Sequence, residues 1–447
     1  MENLDASVIV TALPAMGQDF GVEPARLSSG ISAYLIALTI FIPVSGWISD
    51  RFGARRVFTC AIAAFSLSSL LCAASSDLLT FTLARALQGL SGAMMVPVGK
   101  LLVIRDTPKK ELMRTVAILT WPALLGPVTG PLIGGWLTTT WSWHWIFLLN
   151  LPVGIIALVA ALILIRPQQK SVTHFDLYGF LLLGSCFGLL MGGIEGLSHG
   201  QSLLLLSLMS ISSGLILLYV CSLYLSRARK PLISLSSLKV KTFRITVTGG
   251  SVSRITLGCA PFLLPLTLQL GFGYSAVEAG SIMMWLFAGN LAMRPATSWF
   301  MNRIGFRRIL LFNTVLIMLS YVAYACLTSD TPYVAIATIL FFTGMVRSVQ
   351  FMALHTLAFA DVEGPDIRDA NTLFSVMQRL NNGVGIALAA LALSLAEWWH
   401  NVVPYMNDAG DFRLAFLIIA AISLLPLISI GRLNRQAGIS VLRGKDS

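Results

Sequence analysis

Long apolar runs alternate with short polar loops along the whole of this chain, and the loops carry positive charge in strict alternation. Of 31 Lys and Arg residues, 23 fall in every second loop, beginning with the loop of Arg51, Arg55 and Arg56, while the opposite loops hold only Arg26 and Arg413. Such an asymmetry is the positive-inside pattern of a multi-pass membrane protein, and it orients the chain with its basic loops and tail cytoplasmic. With 56% apolar and 11% charged residues and a mean hydropathy of +0.80, the 447 residues carry more apolar surface than a soluble core can hide. The net charge of +11 is explained by the cytoplasmic leaflet and calls for no nucleic acid. Six cysteines lie inside apolar runs without paired spacing, so neither a disulfide nor a metal site is expected.

Counting runs of about 20 residues gives fourteen helices in an all-α membrane fold. The first run, 1–16, rises about 24 Å, short of a hydrocarbon core of about 30 Å. An even number of crossings is needed to put the Arg51 loop and the basic tail on one side, so a native product starting upstream, with a fuller first helix, is expected. The segment WISDRFGARRV at 47–57 reappears as WFMNRIGFRRI at 299–309, an offset of 252 residues. This echo points to a duplicated architecture of the kind transporters use. The chain divides into a six-helix unit (1–165), two further helices (166–226), a basic linker (227–244), a second six-helix unit (245–431) and a tail (432–447).

Few residues are placed to carry chemistry. In helix four, Arg85, Gln88 and Gly92 share one face. An arginine so deep needs a partner; Asp5 is the first choice in this half and Glu2 the second, with Gln88 completing the shell. Burial favours the neutral acid and a neighbouring cation favours the carboxylate, so such a pair is either a proton switch or a fixed structural contact. In helix five, GPVTGPLIGG places Gly126, Gly130 and Gly134 on one face beside Pro127, Pro131 and Gly135. The strip is a close-approach seam, static or flexing. Arg254, Arg347 and Arg379 lie deep in the second half, where no deep acid matches them. Arg254 and Arg347 either face a cavity, favouring an anionic or zwitterionic substrate, or bond helix carbonyls, amides such as Gln378 or Asn381, or water. Phe262 and Phe351 join Gln88 as candidate cavity residues. No glycine loop for nucleotide phosphates and no extramembrane domain are evident, so neither an enzyme nor direct ATP drive is indicated, and no cofactor is expected.

Taken together, GWISDRFGARR (Gly46–Arg56), RALQGLSGA (Arg85–Ala93), GPVTGPLIGG, LDASVIVTALP (Leu4–Pro14) and WHWIFLLNLPVG (Trp143–Gly154) resemble the major facilitator superfamily, and within it the fourteen-helix drug:proton antiporters. The resemblance implies two six-helix bundles plus helices seven and eight, rocking about a midplane cavity. It implies that Asp5 is the protonated coupling residue and Arg85 its modulator, with Glu2 nearby. Gly46, Asp50, Arg51, Gly53, Arg55 and Arg56 would form the cytoplasmic gate, and helix five would flex. Ala54 and Asn302 depart from the pattern by removing a basic residue from one gate copy and an acid from the other. The expected partners are a small amphiphilic substrate, protons and the lipid bilayer of a bacterial inner membrane, with accessory channel proteins left open. Export of an organic anion or metabolite, or a non-transporting sensor with the same fold, are the alternatives.

Overall fold

The computed structural model describes residues 2–106, 126, 129–165, 175–197, 204–228, 235–362, 366–402 and 408–434. Fourteen helical stretches occur among them, and no strand. In hydrocarbon each backbone donor and acceptor must be satisfied within its own segment, which leaves the helix as the solution for runs as apolar as these. They are α1 (Glu2–Phe20), α2 (Ser28–Phe52), α3 (Ala54–Ala73), α4 (Leu78–Asp106), α5 (129–140), α6 (Trp145–Leu164), α7 (Leu177–Leu197) and α8 (Leu204–Arg227). The second half contains α9 (Lys241–Leu266), α10 (Ala276–Ile304), α11 (Phe306–Ala325), α12 (Tyr333–Phe359), α13 (Asp366–Val402) and α14 (Asp408–Ile422, continued by Pro426–Ile430). Eleven helices among the described residues are long and apolar enough to cross a membrane. Helix α1 runs one turn past the expected end, to Phe20, because Gly21 with φ 64° supplies the stop and donates its N–H back to Gln18 O.

Helices α2, α3, α4 and α6 pack into one bundle, and α9 to α14 into another. Helices α7 and α8 pair with each other, and α7 also lies against α2 and α13, beside the junction of the bundles. Outward faces of α6 and α8 are rows of exposed Leu and Ile, among them Ile155, Ile156, Ile163, Leu205, Leu206 and Ile216, as a lipid-facing surface requires. Within the second bundle, glycines fix the closest approach: a Cβ on Gly289 would strike the Phe341 carbonyl and one on Gly344 the Leu286 carbonyl, so α10 and α12 touch backbone to backbone.

The internal repeat is visible as geometry. Gly53 (φ 92°) joins α2 to α3, and Gly305 (φ 84°), 252 residues later, joins α10 to α11. Each donates its N–H to the helix it ends, to Ser49 O and Met301 O respectively. Arg55 then donates from Nη2 to Leu162 O (2.6 Å), and its counterpart Arg307 donates to Gly431 O (2.9 Å). Both copies thus tie the Arg-x-Gly-x-Arg turn to the last helix of their own bundle. At the other membrane face Asp77 caps α4 by accepting from the N–H groups of Leu79 and Thr80 (2.9 Å each), and Ser275 and Glu278 form a capping box on α10. Thr80's backbone and hydroxyl hold the Asp77 carboxyl below its ordinary range.

A side chain at the φ and ψ of Gly53 (92°, 126°) is strained. Gly53→Ala and Gly305→Ala should each lower the unfolding free energy of the detergent-solubilised protein by about 1–3 kcal/mol. Gly46→Ala should not, since a Cβ there meets open space. Thermal or denaturant unfolding of the three variants checks this.

Candidate functional site

The polar centre of the first bundle is built around Asp5, 3% exposed on α1. Arg85, fully buried on α4, donates from Nη1 to Asp5 Oδ2 at 2.6 Å. Asn150 on α6 donates from Nδ2 to Oδ1 at 3.0 Å, and Gln88 Nε2 reaches the same oxygen at 3.3 Å. Gln88 is held in turn: its Nε2 donates to Ser69 Oγ (2.8 Å) and its Oε1 accepts from Arg85 Nη1. Below the guanidinium lies the ring of Tyr34, 4.4 Å from the Arg85 carbon, with Phe147 at 6.0 Å. Four helices and α3 therefore converge on one carboxylate. The Asp5 carboxyl thus receives three side-chain donors, one of them charged.

Local sequence explains how each helix delivers its residue. Tyr34 approaches because α4 has Gly89, where a Cβ would strike the Tyr34 carbonyl, and Gly92, which faces Tyr34 Oη and Leu38. On α6 and its approach, Trp143, Phe147 and Asn150 are spaced i, i+4, i+7 and share a face. Trp143 donates to Asp19 Oδ2 near the end of α1 and packs edge-on to Phe20, Phe147 lies below Arg85, and Asn150 meets Asp5. The tryptophan-rich motif is thus a clamp along α1. Asn150 and Tyr34 were not among the residues expected from sequence; the i, i+4, i+7 spacing could have found Asn150, but nothing in a lone tyrosine singles out Tyr34.

Glu2 lies one turn from Asp5 and does not pair with Arg85. Its Oε1 stands 2.6 Å from Nη2 of Arg379 on α13, across the bundle junction. The expectation that no deep acid matches Arg379 is therefore corrected: the acid belongs to the other half of the chain, so pairing sought within one half misses it. Arg254 and Arg347 use helix carbonyls. Arg254, 1% exposed, donates to Thr246 O at 3.2 Å and lies 4.5 Å above the Phe374 ring. Arg347 donates to Leu257 O and lines a small cleft with Tyr321, Tyr324 and Thr343. Phe262 is enclosed in the core and Phe351 is half-buried against it. Among the described residues no hydrogen bond or ion pair joins these four to the Asp5 group, whereas Gln88 is part of it.

In the helix-five strip, Pro127 lies outside the described residues. Ser7 Oγ donates to Gly126 O at 3.1 Å. A Cβ on Gly130 would strike Ser7, and one on Gly134 would strike Thr11 and the Val8 carbonyl, so this face seats α1. The next face crosses to the second bundle: a Cβ on Gly135 would meet Ala276 O, and one on Gly280 would meet Pro131 O. With Gln269 Nε2 donating to Thr11 O (3.1 Å), these contacts join the bundles in the half away from the basic turns. At the gate, Gly46 faces open space, Asp50 is half-buried, and Arg51 and Arg56 are exposed. Among the described residues no ion pair links Asp50 to Arg51, Arg55 or Arg56; Arg55 bonds Leu162 O instead.

The family model for the Major Facilitator Superfamily matches residues 1–390. The chain belongs to the Major Facilitator Superfamily. It is 34% identical over 450 residues to the putative multidrug resistance protein MdtD of Escherichia fergusonii and, equally, of Escherichia coli strain K12, covering 100% of this chain and 95% of each relative. Among solved structures it resembles an auto-inhibited POT family peptide transporter (TM-score 0.68, 13% identity, covering 99% of this chain and 95% of that one). It also resembles a D-xylose-proton symporter (0.66, 11% identity, 98% and 95%) and the nucleoside transporter NupG (0.65, 14% identity, 97% and 96%). At such identities these likenesses speak for the fold. The chain is a multi-pass transporter of this superfamily, and the Asp5 group lies in its first bundle.

Removing one partner of a buried pair strands the other charge. Arg85→Gln should destabilise the solubilised protein by about 3–5 kcal/mol, and adding Asp5→Asn should recover part of that loss. A double-mutant cycle on unfolding checks both; additive losses would show that the two side chains do not act as a pair.

Proposed function

We propose that the protein is a proton-coupled antiporter that exports small amphiphilic molecules across a bacterial inner membrane by alternating access, with its basic loops cytoplasmic. The observation that carries this reading is the buried Asp5–Arg85 pair, backed by Gln88 and Asn150, in a chain related over its full length to proteins named for multidrug resistance.

The chemistry follows from the donors. As a carboxylate, Asp5 is stabilised by Arg85, Gln88 and Asn150; as an acid it loses the charge that orders them. A proton and the ion pair therefore compete for the same oxygen. A substrate that draws on Arg85, Gln88 or the Asp5 carboxylate changes the free energy of holding that proton, and by linkage the proton changes substrate affinity equally. Transport arises when the balance differs between the two bundle arrangements. Helix α1 is suited to pass that difference on, because one face holds Asp5 in the first bundle while Thr11 accepts from Gln269 in the second. The glycine strip of α5, seated on α1 and on α10, supplies a smooth surface across which the bundles can shift. The bundle contacts in the half away from the basic turns belong, in this reading, to the arrangement closed toward the outside.

Energised inverted vesicles test it. Adding lipophilic cations should release accumulated protons, and Asp5→Asn should abolish the release while the protein still inserts. Release that survives Asp5→Asn contradicts the reading. Asn150→Ala removes one of the three donors to Asp5 and should slow substrate-induced proton release several-fold while the protein still inserts. Release unchanged by Asn150→Ala would show that this donor takes no part in the exchange at Asp5.

A further inference from the structure

Exchange at Asp5 leaves a second buried acid on α1 without a task. Glu2 is 5% exposed, and among the described residues neither of its carboxylate oxygens has a further hydrogen-bond donor. Its support is the Arg379 guanidinium, 2.6 Å from Oε1. Arg379 sits well inside α13, yet its side chain is 28% exposed. Ser375, Gln378 and Asn382 are half-buried beside it, at the spacing of one helical face. Arg379 on α13 pairs with Glu2, and Tyr34 on α2 lies within electrostatic reach of four charged groups: Glu2 and Asp5 on α1, Arg85 on α4 and Arg379. The Tyr34 hydroxyl, like Glu2, has no hydrogen-bond partner among the described residues.

The two acids of α1 thus differ in one decisive respect. Every donor to Asp5 comes from the first bundle and moves with it, whereas the cation that holds Glu2 belongs to the second bundle. We propose that Glu2 is a second proton-exchanging carboxylate, discharged by Arg379 when the bundles bring the two together and recharged when they separate, so that two protons cross per substrate molecule. This rests on the antiport reading at Asp5. The step balances simply: the O–H bond of Glu2 forms with a proton from one aqueous side as Arg379 withdraws, and it breaks as Arg379 returns, releasing that proton to the other side. A carboxylate this buried, with no donor of its own, does not stay ionised once its cation leaves. One unit of positive charge accompanies that proton. With Asp5 supplying the other proton, exchange for a monovalent cation becomes electrogenic.

The test uses the full chain in proteoliposomes with a monovalent lipophilic cation that releases protons in the vesicle assay, ethidium first. A potassium diffusion potential set by valinomycin, with no pH gradient, should drive exchange by the unaltered protein, and the reversal point should give two protons per cation. Glu2→Gln should retain exchange driven by a pH gradient, lose the response to potential, and fall to one proton per cation. Arg379→Gln should do the same, because Glu2 without its cation keeps its proton throughout; this variant guards against a Glu2→Gln protein that fails to insert. Full potential response and an unchanged ratio in either variant would overturn the proposal, as would a ratio of one in the unaltered protein. Failure of the underlying antiport reading looks different, since exchange would then survive Asp5→Asn.

Discussion

An ionised carboxylate in a lipid-surrounded interior persists only beside a cation or several donors. Helix α1 carries two buried acids a turn apart, and much of the arrangement around it can be read as a response to them. Arg85 comes from α4, Gln88 from one turn further along, Asn150 from α6 and Tyr34 from α2, each let in by a glycine or a stripe of helical spacing. The first bundle is ordered about Asp5 as much as about its apolar core. Glu2 extends the same demand across the junction, where only Arg379 answers it. One helix therefore makes the charge state of its acids a matter for both bundles.

The internal repeat shows what the duplication kept and what it released. Backbone needs are identical in the two copies: Gly53 and Gly305 turn the chain with positive φ, and Arg55 and Arg307 fasten that turn to the last helix of their bundle. Charge needs diverge, with Asp50 in one copy and Asn302 in the other. Buried charge diverges further. The first bundle pairs its arginine with an acid, while in the second Arg254 and Arg347 each donate to a carbonyl oxygen and Arg254 also lies over the face of an aromatic ring. Two halves built on one plan thus differ in how they hold their buried charge.

Much of this was legible in the sequence, for physical reasons. Fourteen helices follow from hydropathy because lipid leaves the backbone no other option. The pairing of Asp5 with Arg85 and Gln88 follows because a deep arginine must find the nearest deep acid. The close approach at Gly130 and Gly134 follows from their spacing. What stayed hidden involved neutral groups and long-range partners. Asn150 carries no charge to betray it, Tyr34 acts through its ring, and Arg379 meets an acid 377 residues away in the other bundle. Carbonyl oxygens, to which Arg254 and Arg347 donate, are present at every position and so leave no trace in composition.

The central claim is that protonation of α1 sets the relation of the two bundles. The most direct measurement is the distance between spin labels at Ser76, on the loop before α4, and Ser329, on the loop before α12, both exposed on the face away from the basic turns. Pulsed electron spin resonance in lipid nanodiscs would follow that distance as pH is varied, in the unaltered protein and in Asp5→Asn. The account predicts two discrete distances whose populations exchange with pH, and a distribution in Asp5→Asn that no longer follows pH in the same way. A single distance that ignores both pH and the substitution would contradict it.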